Sequence, residues 1–181
     1  MTLKYKIKIL SDWHCGSGLD SGADADLLVI KDEHGLPFIP GKTIKGLLRD
    51  ALWEISEVKN EFKSCLETVF GKVNSDDSTN PGKTFFTNAE MPEVEKGGII
   101  NQGLQPYLYR NYASTAIGEN GIALEHSLRT MQVCRPVTLA GEIHDVPEDC
   151  MEAIRMAMKW CRYLGSGRNR GLGRCKFEMT N

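Results

Sequence analysis

Leu3-Lys4-Tyr5-Lys6-Ile7-Lys8-Ile9 alternates apolar residues with lysines without a fault. Side chains of a strand point in turn to opposite faces, so this stretch predicts a strand with one face on a core and a lysine face in water. Working outward, a glycine-bearing turn follows at Ser11-Asp12-Trp13-His14-Cys15-Gly16-Ser17-Gly18, and then a small-residue loop holding Asp20, Asp24 and Asp26. Leu27-Leu28-Val29-Ile30 has the apolar content of a short strand. From about Thr43 to Ile55, Ile44, Leu47, Leu48, Ala51, Leu52 and Ile55 recur at helical spacing, with Thr43 as a suitable N-cap.

The second half continues in the same manner. Gly71 to Gly82 is polar and turn-rich and reads as a mobile surface loop. Thr84-Phe85-Phe86-Thr87 predicts a second core strand, and Val133 to Ile143 a third, broken at Pro136. Between them, Met91 to Ala123 lacks clear periodicity and carries Tyr107, Tyr109, Arg110 and Tyr112, which suit either stacking on unpaired bases or packing of the loop itself. A helix over Pro147 to Leu164 places acids first (Glu148, Asp149, Glu152) and bases last (Arg155, Lys159, Arg162), matching the helix dipole. Its buried stripe is Cys150, Ile154, Ala157, Cys161 and Leu164, and Cys175 to Met179 closes as a strand. The order is βαββαβ, an α+β class of ferredoxin-like pattern shared by the common single-stranded RNA module, here with a long insertion. We read one domain over 1–181, with a core of 1–90 and 124–181 and an insertion of about 91–123.

A chain of 181 residues, 41% hydrophobic and 25% charged, is ordinary for one soluble domain. The net charge of -2 argues against coating by nucleic acid, so a polyanion would need a local patch. Six cysteines without a C-x-x-C pair, and no apolar run near the ~20 residues of a membrane span, predict reduced thiols in a cytoplasmic protein. A zinc site from distant Cys and His residues is the alternative.

One patch stands out. Gly165-Ser166-Gly167-Arg168-Asn169-Arg170-Gly171-Leu172-Gly173-Arg174 joins four glycines to three arginines, and no acid interrupts Arg155 to Phe177. Glycine lets backbone approach a ligand, successive N–H groups can cradle an anion, and arginine suits phosphate. Such a loop is either a clamp on a nucleic-acid backbone or a plain helix-to-strand turn. Lys42, Lys45 and Arg49 near the start of the first helix oppose its dipole, so either an external anion completes the site or the face is simply solvated. His14, with no orienting partner nearby in sequence, suits a structural hydrogen bond better than a general base. For Asp20, Asp24 and Asp26, turn capping and metal-assisted phosphodiester cleavage are both open, and spacing does not choose among the three.

Three stretches together resemble the RAMP superfamily of CRISPR-associated RNA-binding proteins. They are His14-Cys15-Gly16-Ser17-Gly18; Pro37-Phe38-Ile39-Pro40-Gly41-Lys42-Thr43-Ile44-Lys45-Gly46-Leu47-Leu48-Arg49; and the G-x-G-R-x-R-G-x-G run from Gly165 to Gly173. Val69-Phe70-Gly71, Arg110 with Ser114 to Ile117, Leu128-Arg129-Thr130 and Gly141-Glu142-Ile143 add weaker matches. The resemblance implies the repeating backbone subunit of a type III effector complex, in which the 91–123 insertion is a thumb. It implies CRISPR RNA, complementary target RNA, other effector subunits and copies of itself or related RAMP proteins as partners. By the same resemblance His14, Lys42, Thr43, Lys45, Arg49, Arg110, Arg129, Gly165, Gly167, Arg168, Arg170, Gly171 and Gly173 contact RNA. Asp26, with Asp24 as fallback, would cut target RNA with a divalent metal (magnesium or manganese), and no organic cofactor is implied. Lys31 stands where the family has arginine, which keeps the charge and loses the fork. The rival roles are a non-catalytic capping or spacer subunit, and a guide-processing endonuclease using His14 as general base.

Overall fold

The computed structural model describes residues 1–18, 27–73 and 79–180. In chain order the elements are β1 (Leu3–Ile9), α1 (Gly41–Val58), α2 (Lys63–Cys65), β2 (Gly71–Val73), β3 (Thr79–Pro81) and β4 (Phe85–Phe86). They continue with α3 (Glu93–Asn101), β5 (Tyr109–Ser114), β6 (Arg129–Cys134), β7 (Thr138–His144), α4 (Met151–Trp160) and β8 (Cys175–Thr180). The architecture is α+β, as the patterning predicted. Four antiparallel strands form the main sheet in the order β4-β7-β1-β8.

The alternation in β1 sets the layers. Leu3, Tyr5, Ile7 and Ile9 are buried, and Lys4, Lys6 and Lys8 are exposed. Register places Ile7 opposite Leu139 on one side and Phe177 on the other, so the three longest strands of this sheet share one apolar face. The stripes of α1 (Ile44, Leu48, Leu52) and α4 (Ile154, Ala157) join the same core. Tyr5 crosses over Gly141, where any side chain would strike the phenol ring.

Several expectations are corrected. α1 starts at Gly41 with Pro40 as its N-cap, so Thr43 lies inside the first turn and does not cap it. Leu27–Ile30 forms no ladder; it makes single bridges, Leu27 to Met131 and Val29 to Gly16. The stretch from Val133 is two strands: β6 pairs with β5, β7 joins the main sheet, and Pro136, which has no N–H to donate, lies at the break. β5 and β6 form a hairpin that carries the chain past Ala123 and returns it at Cys134. The helix after Pro147 begins as a 3-10 turn and ends at Trp160, because Cys161 turns extended and Tyr163 bridges to Arg174. β2 pairs with β3 at the flanks of the polar 71–82 loop, whose residues 74–78 lie outside the described ones.

The cysteine expectation also changes. Cys65 and Cys150, 85 residues apart, form a disulfide with a Cα–Cα separation of 5.6 Å. Folding brings α2 beside the start of the last helix, and no local spacing signals that meeting. Cys15, Cys134, Cys161 and Cys175 are free and buried. No described helix is long and apolar enough to cross a membrane.

Candidate nucleic-acid interface

The glycine–arginine loop is built on left-handed backbone. Gly165, Gly167, Gly171 and Gly173 have φ between 71° and 82°, where glycine has no Cβ to clash. Close approach decides two of them as well: a Cβ on Gly165 would strike the His14 carbonyl, and one on Gly173 the Leu164 carbonyl. Arg168–Arg170 makes one short 3-10 turn between Gly167 and Gly171. Both arginines are exposed and form no ion pair with any described residue.

What holds the loop is the segment after β1. Ser166 N–H donates to the His14 carbonyl at 2.9 Å and Gly173 N–H to the Asp12 carbonyl at 2.8 Å. Arg174 N–H donates to the Ser11 hydroxyl at 3.0 Å. The same segment grips the hairpin: Trp13 and Cys134 exchange both backbone hydrogen bonds, and Trp13 Nε1–H donates to the Arg135 carbonyl. It reaches α1 too, since Thr43 and Lys42 both act on the Cys15 thiol. Burial pushes the Cys15 thiol up, against the opposing pull of Thr43 and Lys42. Ser11–Cys15 is therefore the hub where loop, helix start and hairpin base meet. His14 and Cys15 fall in a stretch that resembles the family, whereas Ser11, Asp12 and Trp13 carry no signal beyond that of a glycine-bearing turn.

The predicted residues separate on this frame. His14 is 2% exposed, with Nδ1 2.7 Å from the Gln132 carbonyl, so its ring ties the hub to β6 and does not face solvent. Lys42 is exposed and Lys45 half-buried on the first turns of α1. Arg49 opens instead on a cleft with Asp50, Trp53 and Glu67. Arg110 is bound by its Nε and guanidinium end to Asp12, the Nε contact being 2.6 Å. Arg129 is exposed at the start of β6, opposite Ser114. Asp24 and Asp26 lie outside the described residues. Leu27, the first described residue after them, accepts from Gln132 N–H at 2.9 Å.

Next to that point, Lys31 Nζ sits 4.1 Å from the centroid of the Tyr109 ring, a cation–π contact. Burial lowers its pKa. Tyr109 in turn donates to the Gly35 carbonyl at 2.7 Å, and Asp32 accepts from the His34 and Leu36 N–H groups, so it closes a turn. Among the described residues no group of three His, Cys, Asp or Glu side chains could hold a metal ion.

A family model for the RAMP superfamily matches residues 6–176. Two solved chains share the fold along nearly their whole lengths. One belongs to the cryo-EM structure of type III-B Cmr-beta bound to cognate target RNA, with a TM-score of 0.75 at 9% identity, covering 99% of this chain and 97% of that one. The other comes from the apo state of type III-B Cmr-beta, also at 0.75, with 10% identity and coverage of 100% and 98%. A sequence search of curated proteins finds no match.

Proposed function

The chain belongs to the RAMP superfamily, and on that premise we propose that it is the CRISPR RNA-binding backbone subunit of a type III effector complex. The observation that carries this reading is the loop at Gly165–Gly173, whose two arginines form no ion pair with a described residue and whose backbone is fixed from below. Phosphate is the ligand that suits exposed planar forks on a glycine cradle. The near-complete overlap in fold with a chain from a type III-B assembly that holds target RNA supports the setting. Guide RNA, complementary target RNA, other effector subunits and further copies of itself are the partners in this reading, in the cytoplasm.

Metal-dependent cleavage of the target by Asp26, with Asp24 as fallback, is the finer part of the proposal. Among the described residues no group of three His, Cys, Asp or Glu side chains could hold a metal ion, and this part of the proposal rests on the aspartate loop. Guide processing by His14 is disfavoured, because its ring is buried and bonded to the Gln132 carbonyl.

Purification with its partner subunits, followed by sequencing of bound RNA, is expected to recover CRISPR-derived guides. Recovery of no RNA, or of RNA without that origin, overturns the reading. In the same complex Asp26→Ala is expected to abolish cutting of complementary RNA while binding stays within a few-fold. Cutting that persists in both Asp26→Ala and Asp24→Ala removes the catalytic half and leaves a binding subunit.

A further inference from the structure

Beside the loop lies a cleft of about 610 Å³ that neither the sequence pattern nor the family match assigns. That volume falls within the ~300–1,000 Å³ typical of small-molecule sites. Asp50 and Glu54, one turn apart on α1, form one wall; Trp160, Arg162 and Tyr163, at the end of α4 and just beyond, form the other. Arg168 closes the rim, and it also lines the concavity of Gly165–Arg170, so cleft and loop are continuous.

The chemistry of the lining narrows the ligand. Trp160 is 57% exposed, and its Nε1–H donates to Glu54 Oε2 at 2.7 Å, which holds the indole in place and leaves ring surface open. Asp50 has no hydrogen bond or ion pair with a described residue. At the floor, the Cys161 thiol is pushed up to about 12, first by burial, then by Cys175, Glu54 and Asp50, with Arg168 opposing. Carboxylates and guanidinium therefore converge on one small volume. Two carboxylates there repel a phosphate, and two guanidinium groups, Arg162 and Arg168, repel a lysine or arginine from a partner. A neutral planar group that donates hydrogen bonds suits both walls.

We propose that this cleft takes one nucleobase bearing an exocyclic amino group, stacked on Trp160 and donating to Asp50, from the strand whose phosphates lie on Arg168 and Arg170. The inference rests on the reading that the loop holds RNA. Base stacking on an aromatic ring tolerates any base; guanine, adenine and cytosine can offer Asp50 an exocyclic amino N–H at the ring edge, whereas uracil offers only its N3–H.

The test is fluorescence anisotropy of the full chain with labelled single-stranded RNA of equal length made of A, of C, of U, or of abasic ribose. A and C strands are expected to bind roughly 3- to 10-fold more tightly than U. Trp160→Leu is expected to weaken the base-bearing strands roughly 5- to 100-fold and to leave the abasic strand unchanged. Trp160→Phe, which keeps a stacking face, is expected to restore most of that loss, and Asp50→Ala to erase the preference over U. Arg168→Ala with Arg170→Ala weakens all four strands if the loop reading is right. Loss in that arginine variant with no change at Trp160 or Asp50 overturns the cleft and spares the loop. Loss at Trp160 with none at the arginines removes the loop reading and overturns the proposal as stated, since the strand would not lie on Arg168 and Arg170. Displacement of the A strand by an arginine-rich peptide from wild type, with no such displacement from Trp160→Leu, assigns the cleft to a protein partner and also overturns the proposal.

Discussion

The glycine–arginine loop and the β5–β6 hairpin rest on the same five residues, Ser11–Cys15, and use them in opposite ways. The loop is held by its backbone, through Ser166 and Gly173 N–H groups on the carbonyls of His14 and Asp12. Leu172 is buried, but Arg168 and Arg170 take no part in the anchoring and are exposed. The hairpin is held partly by a side chain, because Arg110 closes on the Asp12 carboxylate. That charge is neutralised within the protein. Two arginines of the same sequence character thus differ in availability, and the difference follows from which atoms do the anchoring.

The sharpest way to break this contrast is at the backbone anchor. Gly173→Ala places a Cβ against the Leu164 carbonyl at a φ of 71°. It is expected to cost about 2–5 kcal/mol, combining left-handed strain with overpacking, read as a lower midpoint in chemical denaturation. An unchanged midpoint would show that the loop is not fixed from below.

Reduction of Cys65–Cys150 probes stability away from both regions. It is expected to remove about 2–4 kcal/mol, seen as a fall in melting temperature under reducing conditions. RNA affinity below the melting range should stay the same, since neither cysteine touches the hub.

The charges come next. Arg168→Ala with Arg170→Ala is expected to lower RNA affinity and to flatten its dependence on log salt by roughly 0.7 per lost single-strand phosphate contact. A slope identical to wild type would place the phosphates elsewhere.

The smallest effect tests the hairpin side. Asp12→Asn removes the carboxylate that holds Arg110, a partly exposed pair worth about 0.2–1 kcal/mol. Stability should fall by no more than that, and the released guanidinium should steepen the salt slope slightly. If the slope is unmoved, Arg110 serves only to brace the hairpin.

Local pattern carried much of the fold. The alternation of β1 and the helical stripes of α1 and α4 each depend on burial of one face, and these residues are buried in the structure except Leu47, which is half-buried. The insertion was harder to read. β6 is only partly buried and pairs with β5 outside the main sheet, so its residues carry a weak period and merged with β7 across Pro136. At the candidate interface the glycine–arginine motif was visible because four left-handed positions require a composition that stands out. The hub was legible only at His14, read as a structural hydrogen-bonding residue; Asp12 and Trp13 act through partners more than 90 residues away.

By itself, then, the amino-acid order determined which faces turn inward and where the chain must adopt left-handed turns, because both are properties of neighbouring residues. Only the tertiary structure decided which arginines keep their charge free, which cysteines join, and that Asp50, Glu54 and Trp160 line one cleft with Arg168. Those outcomes depend on distances across the fold, and Coulomb and hydrogen-bond energies are set by distance in space and not by separation along the chain.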